Sequence, residues 1–362
     1  MPGEGTILIS QSFNYKLPVY IDDCIEIKVC VKDIKRAKNI YIMDTVCTNQ
    51  NEKVVLEGES IVKWEAIKVS LKEIKAFLDS RKFDFTVLGD EMCSIAGFSS
   101  LDNYKEGTIT WIKSDRNGYP NVKDIQLIVV QEGVYAAAEN QIISRDSKAI
   151  FFSIIEHFFE ENSDHGDRIG KNTVIGGEVI LGENTRIGNN CSITGKICIG
   201  DDTTICDNVV IKNNVAIGKN CYIQSLSVIG EDGFGYSEDG NHKKVMVKHH
   251  GGVYIGNDVF IGWHVNIARG TIDDTYIADG VKIAPSTHIG HNNYIGQDAT
   301  VICSQSYGSV HIGDNAYVAG SIIRNQCVVG NNTMVGMGSV VTKDVPDNKV
   351  AIGIPARILK ER

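Results

Sequence analysis

An aliphatic residue recurs at every sixth position from residue 169 to residue 229, without a break. A period of six fits neither the 3.6-residue turn of an α-helix nor the two-residue alternation of an ordinary strand. It is typical of a parallel β-helix, in which three six-residue segments form one triangular coil of about 18 residues. The sequence therefore predicts a mainly β chain with these side chains inside a prism and Gly, Asn and Asp at its corners. The positions are Ile169, Ile175, Leu181, Ile187, Ile193, Ile199, Ile205, Ile211, Ile217, Ile223 and Ile229.

The period has one large break, followed by a slip and a second irregularity further along the chain. After Ile229 about twenty residues fall outside it, and after it resumes at Ile255 it slips at the segment TIDDT and again over residues 303–310. Summed over the whole repeat region, the coils number about ten, which predicts a prism about 45–50 Å long at the spacing of paired strands. Because a regular prism needs no breaks for its stability, we expect function where the chain leaves it.

Composition excludes several classes of function. The formal net charge is −9 and there is no basic run, so we expect no nucleic-acid partner. No apolar run approaches the roughly 18–20 residues of a membrane span, and the start MPGEGTILIS is not a signal peptide, so we expect a cytoplasmic protein. Ten cysteines occur without a CxxC pair, which favours packed thiols over disulfides or a metal site.

The chain divides into five segments by pattern. Alternating stretches such as IEIKVCVKDI and KVVLEGESIVKW predict strands at the start, and SLKEIKAFLDS predicts a helix capped by Ser70. A second helix is predicted from about residue 146 to residue 161, followed by a polar joint. The segments are a β region (1–66), an α+β domain (67–150), a helix and joint (151–166), the β-helix (167–345) and a capping tail (346–362).

Histidines concentrate beside the breaks in the period. A single histidine is more often packed or solvated than functional, but seven of the nine lie here. His288 and His291 are three residues apart across the corner IGH, so at least one should project outward. Histidine is the side chain best suited to accept a proton near neutral pH. The seven are His242, His249, His250, His264, His288, His291 and His311.

Several ordered motifs resemble one family of enzymes. They are VIGEDGFGY, GGVYIGNDVFIG, ARGTIDDTYIADGVKI and HIGHNNYIG, with SLKEIKAFLDS and IIEHFF upstream. They resemble the UDP-3-O-acylglucosamine N-acyltransferases of lipid A biosynthesis, and equally the wider group of β-helical N-acyltransferases that act on nucleotide-linked amino sugars. The resemblance implies a left-handed parallel β-helix with an N-terminal α+β region, a homotrimer, and active sites in the clefts between subunits.

The same resemblance implies catalytic roles. His291, in IGHN, matches the general base that takes a proton from the attacking sugar amine. The backbone N–H of Gly308 matches the donor for the tetrahedral oxyanion. Either Asp274 or Asp273 is expected to orient the imidazole, and His288 is a second candidate for the base.

Substrate contacts are implied in three segments. The loop GEDGFGY is expected to line the cleft near the acceptor, the run KHH to meet a diphosphate, and one aromatic residue of the α+β domain to lie near the base. After that aromatic residue, KSDRNGYP departs from the family's Asn-Pro-Lys-Tyr run, which leaves the preference for uracil open. The residues are Phe234, Tyr236, Lys248, His249, His250 and Trp111.

The two ends of the chain resemble other enzymes. The tail VVTKDVPDNKVAIGIPARILKER resembles the closing segment of coenzyme A-dependent hexapeptide acetyltransferases; alternatively, it is a turn that covers the end of the prism. Residues 1–66 resemble the second half of a MaoC-type hot-dog hydratase, without its catalytic Asp and His, which favours a role in packing or assembly. The tail residues implied in binding the adenine or phosphates of acyl-CoA are Ile354, Pro355, Lys343, Arg357 and Lys360.

Together these features predict an N-acyltransferase with no tightly bound cofactor and no metal. It would move a short 3-hydroxyacyl group from acyl-CoA to the amine of a nucleotide-linked amino sugar, such as dTDP-4-amino-4,6-dideoxyglucose. One alternative is the lipid A reaction on UDP-3-O-acylglucosamine with acyl carrier protein as donor. An alternative of another class is a non-catalytic trimeric scaffold.

Overall fold

The structure is a computed structural model that describes residues 6–35, 38–64, 68–114, 124–159 and 168–362. The chain separates into two compact units, Met1–Asn162 and Ser163–Arg362. Within the described residues, no helix is both long enough and apolar enough to cross a membrane.

The first unit begins with a four-stranded antiparallel sheet, as the alternating pattern predicts. Its strands are β1 (Thr6–Tyr15), β2 (Ile25–Lys35), β3 (Ile40–Asn49) and β4 (Val54–Trp64). They pair in the order β1-β4-β3-β2, so β1 and β2 form the edges.

The alternation gives this sheet two unlike faces. On one face Ile27 lies opposite Cys47, and Val29 lies opposite Thr45. The side chains of Ile27 and Val29 are exposed. Elsewhere in the sheet Lys32 forms ion pairs with Asp44 and Glu59.

The rest of the first unit is a small α+β fold around its own core. Helix α1 (Leu71–Ser80) begins with a capping box, since the Ser70 hydroxyl accepts from Glu73 N and the Glu73 carboxylate accepts from Ser70 N. The predicted second helix is α2 (Ser147–Phe158). The strands are β5 (Val69–Ser70), β6 (Thr86–Leu88), β7 (Ser94–Ile95), β8 (Ile109–Ile112), β9 (Leu127–Gln131) and β10 (Gln141–Ser144), of which four pair in the order β6-β10-β9-β8. The predicted polar joint lies mostly outside the described residues.

The second unit is a parallel β-helix built from short strands. In chain order they are β11 (Val174–Leu181), β12 (Arg186–Ile187), β13 (Ser192–Ile199), β14 (Thr204–Ile205), β15 (Val210–Ile217), β16 (Tyr222–Ile223), β17 (Val228–Glu231), β18 (Tyr236–Glu238), β19 (Lys244–Met246), β20 (Val253–Ile255), β21 (Phe260–Ile261), β22 (Asn266–Ala268), β23 (Thr275–Ile277), β24 (Lys282–Ile283), β25 (His288–Ile289), β26 (Tyr294–Ile295), β27 (Thr300–Ile302), β28 (Gln305–Ser306), β29 (His311–Ile312), β30 (Tyr317–Ala319), β31 (Ile322–Ile323), β32 (Val328–Val329), β33 (Met334–Val335), β34 (Val340–Val341), β35 (Lys349–Ile352) and β36 (Arg357–Glu361). The predicted fold class, a mainly β chain with a left-handed parallel β-helix, is confirmed.

The inward residues stack into three ladders, which define three faces of the prism. Face I carries Ile169, Ile187, Ile205, Ile223, Ile261, Ile283, Val301, Val318, Val335 and Ala351. Face II carries Ile175, Ile193, Ile211, Ile229, Ile267, Ile289, Ser306, Ile323 and Val341. Face III carries Leu181, Ile199, Ile217, Ile255, Ile277, Ile295, Ile312, Val329 and Val345. Face I therefore stacks ten inward residues from Ile169 to Ala351.

Nearly all of these side chains are buried, and the exceptions have physical reasons. Ile169 and Ile175 are exposed because they belong to the first described coil, at an open end of the prism. Ser306 takes a core position that is aliphatic in the other coils of face II, and its hydroxyl donates to the backbone carbonyl of His288. The prediction missed Ser306 because the period is irregular there.

The two long breaks fall on the same edge of the prism, the edge between faces II and III. Ile229 pairs with Ile267, 38 residues later rather than 18, so that coil carries about twenty extra residues. Ile267 pairs with Ile289, 22 residues later, so the next coil carries about four more. We call these the long insertion (residues 231–252) and the short insertion (residues 269–274).

Candidate functional site

Several regular corners of the prism satisfy a backbone amide with a side chain. On the edge between faces III and I, six amides two residues after an inward position each donate to an Asp or Asn of the next coil. Asn257 N donates to Asp279 Oδ1 at 2.7 Å, and Asp314 N donates to Asn331 Oδ1 at 2.8 Å. Such a corner leaves little hydrogen-bonding capacity for a ligand.

The corner at His291 breaks this rule. His291 lies two residues after the inward Ile289, on the edge between faces II and III, and Gly308 occupies the position stacked on it. Gly308 has no side chain to accept from His291 N. Within the described chain, no group accepts a hydrogen bond from the amide of His291 or of Gly308. This corner therefore presents donors that the regular corners consume.

A cavity of about 330 Å³ opens over this corner. It combines the His291 coil, the Gly308 coil and the long insertion, so it brings together three of the four predicted catalytic residues and one predicted acceptor contact. Its lining residues are Gly233, Phe234, Ala268, His288, Gly290, His291, Tyr307 and Gly308.

Two glycines hold the His291 ring between them. A Cβ at Gly308 would lie 2.5 Å from Nε2 of His291, so only glycine permits this approach. On the other side, a Cβ at Gly233 would lie 3.0 Å from Cδ2 of His291 and 3.1 Å from Nε2 of His249. The Nε2 edge of His291 therefore faces Gly308, where the predicted oxyanion donor lies.

The partner of the imidazole is an asparagine, which corrects the expectation that Asp274 or Asp273 orients it. His291 Nδ1 lies 3.0 Å from Asn292 Oδ1. The Asp274 carboxylate instead accepts from Gly252 N at 2.5 Å, because the short insertion directs it toward the preceding coil. Asp273 takes part through its backbone carbonyl, which accepts from Asn292 Nδ2 at 3.1 Å.

His288 lies on the same face, three residues before His291. Burial disfavours the charged form of its ring and lowers the pKa of His288 below the ordinary value of 6.5. Near neutral pH it is therefore uncharged, so it adds no positive charge beside His291.

The long insertion supplies aromatic and basic residues of unequal exposure. Phe234 is 88% exposed, and its ring centroid lies 4.9 Å from that of Tyr236. His249 is only 3% exposed and packs edge to face against His291, with 5.1 Å between the ring centroids. Lys248 and His250 are exposed, so they remain candidates for a diphosphate, whereas His249 packs inside the site.

Arg269 anchors the long insertion to the short one, and the sequence analysis missed it. Its Nε donates to the Gly251 carbonyl at 2.6 Å, and its guanidinium lies 3.9 Å from the Asp232 carboxylate. Only 12% of its side chain is exposed. The family motif ARGTIDDT contains Arg269, but the period gave no sign that it faces the long insertion.

Trp111 lies in the first unit, where its side chain makes packing and hydrogen-bond contacts within the α+β fold. Its indole N–H donates to the Ser147 hydroxyl at 3.0 Å, and its ring stacks on Phe151 with a centroid distance of 6.1 Å. The ring is half-buried, so its contact with a nucleobase stays a prediction. Most of the divergent run KSDRNGYP lies outside the described residues.

The tail residues separate into two groups. Lys343 follows Val341 as His291 follows Ile289, so it lies on the same edge three coils further, about 14 Å along the prism. The others follow β35, which pairs with β36 in a hairpin on face I, so within the second unit they do not line the cavity. They are Ile354, Pro355, Arg357 and Lys360.

The cysteines are free thiols. Cys191, Cys221 and Cys327 lie inside the prism, and burial raises the pKa of each thiol. Among the described residues, no cluster of His, Cys, Asp or Glu is arranged to hold a metal ion.

The repeat matches a known family over part of the β-helix. Residues 199–231 match the bacterial transferase hexapeptide (six repeats) family. The β-helix carries this hexapeptide repeat.

Curated relatives share part of the chain. A UDP-3-O-acylglucosamine N-acyltransferase from Delftia acidovorans is 36% identical over 129 residues, which are 35% of this chain and 38% of that protein. A protein of the same name from Dechloromonas aromatica is 43% identical over 88 residues, 24% of this chain and 25% of the relative. The matched segments therefore span 38% and 25% of the length of these two relatives.

Solved structures with a similar β-helix include UDP-N-acetylglucosamine acyltransferases. The protein from Acinetobacter baumannii has a TM-score of 0.49 at 28% identity, over 53% of this chain and 74% of that one. An (R)-hydratase from A. caviae is 33% identical over 18% of this chain and 48% of its own, with a TM-score of 0.17. At that score the hydratase resemblance of the N-terminal segment stays a prediction.

Proposed function

We propose that this chain transfers an acyl group from a thioester to the amine of a nucleotide-linked amino sugar. The observation that carries the proposal is the corner at His291, where Nε2 faces Gly308 beneath a cavity and two amides have no internal acceptor. A regular β-helix corner has no such arrangement.

The proposed reaction is a direct transfer. The neutral amine attacks the thioester carbonyl and forms the C–N bond, while His291 Nε2 takes a proton from the nitrogen. Gly308 N–H donates to the oxyanion of the tetrahedral intermediate. The intermediate then expels the thiolate by breaking the C–S bond, and the proton on His291 passes to the thiolate. Atoms and charge balance without a metal or a redox cofactor.

The relatives favour the lipid A reading over the dTDP-linked acceptor. Those described above are named UDP-3-O-acylglucosamine N-acyltransferases, so an acylated UDP-glucosamine with acyl carrier protein as donor is our first choice of substrates. The exposed Lys248 and His250 are the proposed diphosphate contacts.

A second pair of substrates has support from the tail. Strands β35 and β36 pair in a hairpin, and this segment's sequence resembles the closing segment of coenzyme A-dependent hexapeptide acetyltransferases. This supports acyl-CoA as the donor and a dTDP-linked 4-amino sugar as the acceptor. In both readings we propose a cytoplasmic homotrimer, which would bring a neighbouring subunit to the open side of the cavity.

The test is product analysis by mass spectrometry with each donor and each acceptor in turn. His291→Gln should reduce transfer by roughly 10²–10⁴-fold, since a general base is lost. His264→Gln is the matched control, because His264 is exposed on a different edge of the prism. Absence of transfer with every pair, or equal activity of the wild type and His291→Gln, would overturn the proposal and favour a passive scaffold.

A further inference from the structure

We infer that Thr271 and Asn292 form a positioning pair that fixes the tautomer of His291. The inference rests on the proposed function only in taking His291 as the base, and its first readout needs no substrate. The pair joins the short insertion to the His291 coil.

The orientation of the Asn292 amide is fixed at both ends. At one end Thr271 N lies 3.1 Å from Oδ1, and because a backbone N–H can only donate, that atom must be the oxygen. At the other end Nδ2 donates to the Asp273 carbonyl at 3.1 Å, and a carbonyl can only accept. The Thr271 hydroxyl also donates to Oδ1, at 2.7 Å. A flipped amide would lose the bonds to the Thr271 amide and the Asp273 carbonyl, which cannot exchange donor and acceptor roles.

This orientation decides where the proton of His291 sits. Asn292 Oδ1 has lone pairs but no hydrogen, so the Nδ1 atom 3.0 Å away must carry the N–H. In a neutral imidazole the other nitrogen is then unprotonated. Nε2, which faces Gly308, therefore holds the lone pair that a general base needs.

The short insertion makes this contact possible. Asn292 has a left-handed backbone, with φ of 55°. At other left-handed corners the asparagine side chain reaches its counterpart in the next coil, as Asn172 does with Asn190 and Asn184 with Asp202. Asn292 instead turns back to the four extra residues of the preceding coil, so the insertion redirects a structural asparagine to the base.

The pair fixes the tautomer without adding a charge. A carboxylate in the same place would stabilise the imidazolium and make the ring hold its proton to higher pH. The titratable side chains that contact the ring or share its cavity are His249, His288 and Tyr307. The two insertions also carry Asp232, Arg269 and Asp273, of which Asp232 and Arg269 face each other. Thr271 and Asn292 supply only neutral groups.

Three variants test the pair. Asn292→Gly removes the amide without straining the left-handed backbone, Thr271→Val removes one hydroxyl, and Asn292→Asp replaces the amide by a carboxylate. Asn208, at φ 59° on another edge, provides the controls Asn208→Gly and Asn208→Asp. Thermal unfolding of each variant, compared with its control, shows whether the fold is retained.

The first readout is the ring itself. NMR of protein labelled with ¹³C and ¹⁵N in histidine, assigned with His291→Gln, should show the Nδ1–H tautomer in the wild type and a mixture in Asn292→Gly. The Nε2–H tautomer in the wild type, or no change in Asn292→Gly, would overturn the inference whether or not the protein transfers acyl groups.

The second readout is the pH profile of kcat/KM. Asn292→Gly should lower kcat/KM by about 10–100-fold and Thr271→Val by less, as for other residues that orient a functional histidine. Asn292→Asp should move the acid limb upward by about one pH unit or more, and the Asn208 variants should not. An unmoved limb would contradict the inference and leave the proposed transfer standing. The expected tautomer together with no transfer by the wild type would contradict only the proposed function.

Discussion

The edge between faces III and I and the edge between faces II and III are built from the same stacked coils, yet they treat their backbone amides differently. On the first edge the corner amides of Asn257 and Asp314 are capped by an Asp or Asn of the next coil. On the second edge Gly308 replaces that side chain, and the amides stay available. The proposed site therefore lies at a corner where the capping side chain is absent and a histidine lies two residues after the inward position.

The two insertions extend the same comparison. Both leave the prism on the edge between faces II and III, in the two coils that precede His291. Arg269 ties them together, and Asn292 ties the short one to the base. The edge between faces II and III thus carries most of the proposed site. On the edge between faces III and I, side chains cap the amides of neighbouring coils.

The largest effect in this comparison should come from restoring a side chain at the open corner. Gly308→Ala would place Cβ 2.5 Å from Nε2 of His291, so the ring must move out of line with the oxyanion donor. We expect acyl transfer to fall by roughly 10²-fold or more, since misplaced catalytic groups cost that much. Gly240→Ala is the control, because nothing lies within 4 Å of a Cβ at Gly240. Full activity of Gly308→Ala would remove this close approach from the mechanism.

A smaller effect, on stability alone, should follow from uncapping the regular edge. Asp279→Ala leaves the Asn257 amide without its acceptor at 2.7 Å. The free energy of unfolding should fall by about 0.5–1.5 kcal/mol, the typical net value of one hydrogen bond, with transfer activity unchanged. Denaturant unfolding measures the first and product formation the second. A large loss of activity would mean that the two edges are not independent.

The smallest effect concerns His288 and pH. Its pKa is lowered in the folded state, so above the ordinary value of 6.5 the ring is neutral in both folded and unfolded chains. As the pH falls below 6.5 the unfolded chain binds the proton more readily, and this contribution to the free energy of unfolding is lost progressively. His288→Gln should make stability less dependent on pH below about 6.5 than the wild type or His264→Gln. An unchanged slope would show that His288 is not buried as described.

Much of the fold was predictable from the sequence. The period places one aliphatic residue inside the prism per six positions, and the stacked ladders confirm it from Ile187 to Ile229. The helix capped by Ser70 was also predictable, because its capping box is local. Ser306 was missed because it lies five residues after the inward Val301 and not six, so the six-residue period does not predict an inward residue there.

The candidate site was predictable only in part. Resemblance pointed to His291 and Gly308, and the structure brings them together, but it also pointed to Asp274, which contacts Gly252 instead. Nothing in the period pointed to Thr271. Contacts at this site join residues about 20 positions apart, and a local pattern does not say which coil an inserted residue will meet.

The sequence alone determined the repeat, the inward residues of the regular coils and the positions of the two insertions, because the six-residue period is visible without knowing which coils are neighbours. The tertiary structure decided what the breaks do. Stacking put both insertions on one edge, set Gly308 against Nε2 of His291, and turned Asn292 toward Thr271 rather than toward the next coil. Those contacts depend on which residues of neighbouring coils lie above one another. Each insertion changes the sequence distance between them, and only the stacked coils show which residues meet.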